Sequence, residues 1–429
     1  MKIILNPSTE RWEDLSKRPR MDKSELEETV RDIIYSVQAG KDNAVHSLSA
    51  KYGNHVHRDL KVSEKEISEA KEKIPEELKK AIDIAKANIT KFHSGRIPAE
   101  PVIETTTGVK CWRKSVPIER VGLYIPGGSA PLFSTLLMLG IPAKIAGCRE
   151  IILCTPPDKD GNVNPLILYT AGLIGIKDIY TVGGAQAIAA MAYGTETIPR
   201  VYKIFGPGNQ YVTKAKEMIQ QDGIAIDLPA GPSEVLVIAD KTANPVFIAA
   251  DLLSQAEHGP DSQVVMLTWD IDLISKVKAE TDRQLKELPR KDIAEISLEK
   301  SRLILLSSID ECIDFSNFYS PEHLIINTID PLYIADKVIN AGSVFLGTYS
   351  CESAGDYASG TNHTLPTNGF AKSYTGVSTE SFIKRISFQE VTAEGITNLG
   401  PAIMLMAEAE SLQAHSNAVS LRLKLLKDG

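Results

Sequence analysis

The chain has 429 residues, 43% hydrophobic and 24% charged, with 47 Lys and Arg against 55 Asp and Glu for a formal net charge of −8. That length exceeds one ordinary core and predicts two or more domains of a globular protein. The acidic balance, without a Lys/Arg block, argues against a nucleic-acid partner, and no apolar run approaches the ~20 residues that cross a bilayer.

The apolar stretch in MKIILNPSTERWEDL is too short for a signal segment, and the first hundred residues read as helical. Ser24 and Glu27 form a capping-box signature, and Val30, Ile33, Ile34 and Val37 recur at helical spacing until Gly40 stops them. Pro75 opens another helix, whose face Leu78, Ala81, Ile82, Ala85, Ile89 and Phe92 should be buried while Lys79, Lys80 and Lys86 stay in water. From Arg120 short apolar strands alternate with helices: VGLYI before Pro126-Gly127-Gly128, IILC after Glu150, IYTV before Gly183-Gly184, and KIF before Gly206-Pro207-Gly208. A second series follows, with EVLVIA, QVVMLTW, RLILLS, HLIIN and SVFLG as strands.

This alternation predicts an α/β fold of two open, Rossmann-like parallel-sheet domains. Ligands of such sheets bind outside the carboxyl ends of the strands, so SPEHL and the loop after SVFLG are expected to project there. After Ser378 a mixed segment leads to a terminal helical stretch from Pro401 to Leu426, a tail of a size that invites a swap onto a partner subunit. Five cysteines, an odd number without a CxxC pair, fit reduced thiols in a cytoplasmic protein.

The eight histidines fall into two groups. His46, His55, His57 and His93 lie in the charged N-terminal region and read as solvated surface residues, whereas His258, His323, His363 and His415 sit among small and turn residues at the ends of apolar segments. Gln255 and His258, three apart at the end of a helix, suit two ligands of one ion, although a polar helix terminus has the same pattern. Asp356, in a Gly/Ser/Thr/Asn-rich loop, either completes a zinc shell or caps a helix. With His415 these make two imidazoles, a carboxylate and an amide, a set suited to zinc. Beside them Glu322-His323 could move protons, provided that the backbone turns so that adjacent side chains converge. No G-x-G-x-x-G follows any strand; the turns PGG, GGAQA and GPGN offer backbone N–H groups at helix starts that could receive phosphates.

Taken in order, VGLYIPGGSAPL, VGGAQAIAA, IFGPGNQYV, AGPSEVLVIAD, SQAEHG, SPEHL, SVFLG, AGDYASGTNHTLPT and ESLQAH resemble the histidinol dehydrogenases nearly end to end. The resemblance implies oxidation of L-histidinol to L-histidine through bound histidinal, with two NAD in succession and one zinc per subunit. It implies Gln255, His258, Asp356 and His415 as zinc ligands that also meet the substrate, His323 as base for both hydride steps, and Glu322 as activator of water. Ser233 and Glu410 would contact substrate, and Tyr124, Gln186 and Asn209 would contact NAD; His363 shares the matched loop without an assigned role. It further implies a homodimer in which His415 and Glu410 act in trans. The implied organisation is an N-terminal arm (1–22), a larger α/β domain (23–123 and 234–377), an inserted α/β domain with the NAD contacts (124–233) and a swapped C-terminal tail (378–429). Three rivals remain at this level: a relative that oxidises another small amino alcohol or diol, a zinc hydrolase with Glu322 as base, and a zinc-storing protein.

Overall fold

Short β-branched runs between glycine-bearing turns become strands in the computed structural model, which describes residues 1–19, 24–52, 59–95, 100–127, 131–229 and 231–428, without the side chains of residues 24 and 25. In chain order the strands are β1 (Lys2–Leu5), β2 (Ile103–Thr106), β3 (Val109–Pro117), β4 (Arg120–Tyr124), β5 (Glu150–Thr155), β6 (Asp178–Thr181), β7 (Lys203–Phe205), β8 (Ala225–Ile226), β9 (Glu234–Ala239), β10 (Gln263–Thr268), β11 (Arg302–Leu305), β12 (His323–Asn327), β13 (Ser343–Leu346) and β14 (Ile383–Val391). The chain divides into one unit of Met1–Ser94 with Glu119–Ser381 and a second of Gly95–Ile118 with Phe382–Gly429.

The first unit contains two parallel sheets, a six-stranded one in the order β1-β11-β10-β9-β12-β13 and a five-stranded one in the order β6-β5-β4-β7-β8. Each reverses direction once, between β9 and β12 and between β4 and β7. In the six-stranded sheet Val235, Val237, Val264 and Met266 share a core with the helices Pro245–Ala256 and Ile271–Leu285, while Leu236, Ile238, Val265 and Leu267 pack with the helix Ile309–Tyr319 on the other face. Burial on both faces explains why EVLVIA and QVVMLT are continuous apolar runs, as parallel strands require.

The helix Ser24–Lys51 is broken at Lys41, φ 49°, directly after the expected stop at Gly40. Its Val30, Ile33, Ile34 and Val37 join the core of the five-stranded sheet, although the sequence grouped this segment with the larger domain. The capping role expected of Ser24 lies outside the described side chains. In the helix Glu76–His93, Ile82, Ala85 and Ile89 are buried as expected, but Phe92 is exposed, Ala81 faces solvent, and His93 takes the buried position at the helix end. His93, read as a surface residue, is thus 5% exposed, and burial lowers its pKa. His46 is half-buried, and His55 and His57 lie outside the described residues.

The second unit is a three-stranded antiparallel sheet, β14-β3-β2, with the helices Ala393–Ala409 and Gln413–Asp428. The nine-residue strands β3 and β14 pair from Ile383↔Pro117 to Val391↔Val109, so a segment that the sequence placed in the larger domain is joined to the tail by a full hydrogen-bonded ladder. The sequence reading contained none of these strands, nor β1 or β8: all are mostly exposed or very short, and an exposed strand carries no apolar run. The terminal helical stretch also starts earlier than Pro401, at an N-cap where the Thr392 side chain accepts from Gly395 N, and breaks at Glu410–Leu412. Among the described residues no helix is long and apolar enough to cross a membrane.

Candidate functional site

Glu234 opens β9 and His323 opens β12, neighbours in the six-stranded sheet. The helix after β9, Pro245–Ala256, runs back along the sheet and returns Gln255, with His258 just beyond its end; the helix after β13, Glu352–Tyr357, returns Glu352 and Asp356. These groups therefore gather at the amino ends of the strands, opposite to the end expected from the sequence. The reason is connectivity: SPEHL precedes its strand, the C-terminal end of Pro245–Ala256 brings Gln255 and His258, and the segment 347–351 after β13 returns the chain to the start of the short helix that carries Glu352 and Asp356. Asp356 accordingly sits on a short helix and not in a loop. At the entrance to β12, Ser320 adopts φ 58°, and a Cβ on Gly342 would lie 2.5 Å from the Glu322 carbonyl oxygen, so only glycine fits there.

The turn makes Glu322 and His323 converge, with Oε2 3.7 Å from Nδ1. Glu322 Oε2 accepts from Glu234 N at 2.9 Å, His323 Nδ1 is 3.2 Å from Glu234 O, and His323 Nε2 is 3.6 Å from Asp356 Oδ1. Glu322 and His323 are 5% and 4% exposed, and His323 Nε2 is buried with no hydrogen-bond partner. A buried polar atom without a partner costs about 1–3 kcal/mol, which a ligand would recover. Burial pushes the Glu322 carboxyl up to about 8. Burial works to lower His323, but the carboxylates of Glu352, Glu322 and Asp356 outweigh it and hold the imidazolium up to about 10. Asp356, which burial would raise, is kept below the usual carboxylate range by His323.

One ligand atom from each of His258, Glu352 and Asp356 lies within 4.8 Å of the others. An imidazole and two carboxylates at that separation suit a divalent cation such as zinc. Gln255, fully buried, donates from its amide nitrogen to Glu352 Oε1 at 2.6 Å in the orientation that satisfies both groups. Glu352 is absent from the sequence reading; the available signal was its place four residues before Asp356, the spacing that puts two side chains on one helix face. His363 bridges from the Asp356 carbonyl, 2.8 Å from Nδ1, to Thr135 Oγ1, 2.9 Å from Nε2. Ser233 directly precedes β9 at the same sheet end. Glu410 and His415 belong to the second unit, where both are exposed around the break between its helices.

The residues expected at NAD lie at the carboxyl end of the five-stranded sheet, around the β4/β7 reversal. Tyr124 ends β4, and its hydroxyl accepts from Gly184 N at 3.0 Å, at the start of the helix Gly184–Tyr193. Gln186 in that helix is 2% exposed with Nε2 unpartnered. Asn209 caps the helix Gln210–Ile219, its Oδ1 accepting from Tyr211 N and Val212 N at 3.1 Å each. Gly206 has φ 125° and a Cβ there would meet the Tyr124 carbonyl oxygen at 2.0 Å, so the two loops touch through backbone. Behind them Lys216 pairs with Asp227 at 2.5 Å and donates to Gly206 O at 2.9 Å.

The model of the family described as histidinol dehydrogenase matches residues 16–423. A histidinol dehydrogenase of Bacteroides thetaiotaomicron is 57% identical over 427 residues, covering 100% of both chains, and one of Shigella sonnei is 50% identical over 424 residues, covering 98% of this chain and 97% of the relative. The crystal structure of histidinol dehydrogenase from Elizabethkingia anophelis, 57% identical, superposes with a TM-score of 0.97 over 100% of this chain and 99% of that one. By its motifs, its fold and its full-length similarity, the chain belongs to the histidinol dehydrogenase family.

Proposed function

We propose that this chain carries out the zinc-dependent, NAD-linked oxidation of L-histidinol to L-histidine through bound L-histidinal, as a cytoplasmic enzyme of histidine biosynthesis. The observation that carries this reading is the buried, unpartnered His323 Nε2 beside Glu322 and the His258–Glu352–Asp356 cluster. Gln255, His258 and Asp356, with His415 from a second copy, would hold zinc, which when bound would orient the substrate through its nitrogen atoms. NAD, against Tyr124, Gln186 and Asn209, would accept the hydride.

In the first oxidation His323 Nε2 takes the hydroxyl proton as hydride leaves the carbon. Glu322 then removes a proton from the water that adds to the aldehyde, and His323, its first proton released to solvent, takes the second hydroxyl proton. With Asp356 engaged as a ligand its charge would raise His323 less, which would favour the neutral imidazole that acts as base. Ser233, next to Glu234, would contact the substrate, and the carboxylate of Glu410 would suit its ammonium.

A second copy is supported by the exposed apolar groups of the second unit, Leu405 at 69%, Met406 at 67%, Leu421 at 66% and Leu425 at 74%, which flank Glu410 and His415 in sequence. The test is NADH yield from L-histidinol before and after chelation. Two NADH per histidinol, lost on chelation and restored by zinc, is the expected result; no NADH from zinc-loaded protein would overturn the assignment of substrate.

A further inference from the structure

Glu234 lies between the two proton-moving side chains and is neither a candidate ligand nor a candidate base. Its N–H holds Glu322 Oε2 at 2.9 Å and its carbonyl faces His323 Nδ1 at 3.2 Å. A carbonyl only accepts, so this contact asks for Nδ1–H and leaves Nε2 free to take a proton. The Gln255 amide nitrogen, also 3.2 Å from Nδ1, would ask for the opposite tautomer, but it has a charged acceptor in Glu352 Oε1 at 2.6 Å. The position of one peptide group thus sets both the direction of Glu322 and the working nitrogen of His323.

The ladder to β10 holds the strand that begins there, and the grip on the Glu234 side chain comes from the N-terminal arm. The Glu234 side chain is fully buried, and Arg18 grips it with two bonds, Nε to Oε2 at 2.7 Å and Nη2 to Oε1 at 3.0 Å. Arg18 also donates from Nη2 to the Tyr319 carbonyl at 2.7 Å, with its guanidinium 3.7 Å from the centre of the Tyr319 ring. Tyr319 Oη in turn lies 3.3 Å from Glu234 Oε2 and 2.9 Å from Gln263 Oε1. Ahead of Arg18 the arm is anchored twice, by β1 in the sheet and by Trp12 against Phe315. We infer that Arg18 is a positioning residue for the Glu322–His323 pair, acting through the side chain and peptide of Glu234. The inference rests on the reading of that pair as the proton-moving groups.

The test uses full-length, zinc-loaded protein carrying Arg18→Met, Arg18→Lys or Glu234→Gln. Misplacing a reacting group by about 1 Å can cost ~100-fold, so Arg18→Met is expected to lower kcat by ~10–100-fold. KM for histidinol and for NAD should change less than ~2-fold, since such a loss falls on the reaction and not on ground-state binding. Arg18→Lys should recover only part of kcat, because an ammonium cannot make the two-pronged contact. The 15N spectrum of His323 should report Nδ1–H in the parent and mixed tautomers in Arg18→Met. Unchanged kcat in folded, zinc-loaded Arg18→Met, or a loss that follows zinc content, would overturn the inference. If that variant does not fold, Glu234→Gln, which leaves Arg18 one neutral acceptor and sets an amide N–H2 against its other donor, takes its place under the same criteria. Failure of the parent to form NADH would sink the functional reading instead, and the tautomer spectrum would still decide the positioning role.

Discussion

At the amino end of the six-stranded sheet side chains converge: the buried acids Glu234, Glu322 and Glu352, a buried imidazole and a buried amide, with His258 and Asp356 beside them. At the carboxyl end of the five-stranded sheet backbone converges instead, with Gly206 against the Tyr124 carbonyl, a helix start held by the Tyr124 hydroxyl and another capped by Asn209. Under the proposed function the difference separates two tasks. Proton transfer and cation binding need charged side chains that can be buried only if each is matched by a neighbour, and helix C-termini and pre-strand loops supply those. Phosphate binding is served by N–H groups at helix starts, which parallel sheets present at their carboxyl ends.

The largest effect should come from His323→Asn, which removes the buried base and is expected to lower kcat by ~10²–10⁴-fold while NAD binding by calorimetry stays intact. Loss of NAD affinity in that variant would break the separation. On the other side, Gly206→Ala forces a Cβ toward the Tyr124 carbonyl at φ 125°, with an expected cost of ~1–3 kcal/mol or more. Thermal unfolding should show it, KM for NAD should rise, and zinc content should be unchanged.

Tyr124→Phe deletes the bond to Gly184 N, a contact of order 1 kcal/mol, so KM for NAD should rise by ~5-fold. Equal weakening of histidinol would instead argue that the two ends act as one. A smaller effect is expected on the pH dependence of metal-free protein. Glu322 and His323 bind protons more tightly folded than unfolded, so their stabilising contribution is complete below their ordinary values of 4.5 and 6.5. It is lost as pH rises through about 8 and about 10 respectively. The Tm of chelated protein should therefore fall between about pH 6 and about pH 9, and Glu322→Gln should flatten that fall; a Tm that rises over this range would contradict the buried-acid description.

The strands β4 to β7 and β9 to β12 were legible because burial on both faces writes an apolar run into the residues themselves, and the half-exposed β13 because SVFL is apolar between turns. The candidate ligands Gln255, His258 and Asp356 and the pair Glu322-His323 were legible because polar residues at the ends of such runs have few other reasons to be there. Glu352 was not, since an acid at the start of a short helix looks like any first-turn carboxylate. His93 was misjudged because helical periodicity near a terminus does not say which of two adjacent residues turns inward.

The sequence by itself determined the parallel α/β architecture and the family, and it named most of the candidate site residues, because apolar patterning and short motifs are local. Only the tertiary structure decided which end of the sheet carries the site, that β3 pairs with β14, and that Arg18 reaches Glu234. Those outcomes depend on strand order, ladder register and the matching of buried charges between segments far apart in the chain, and no local pattern encodes them.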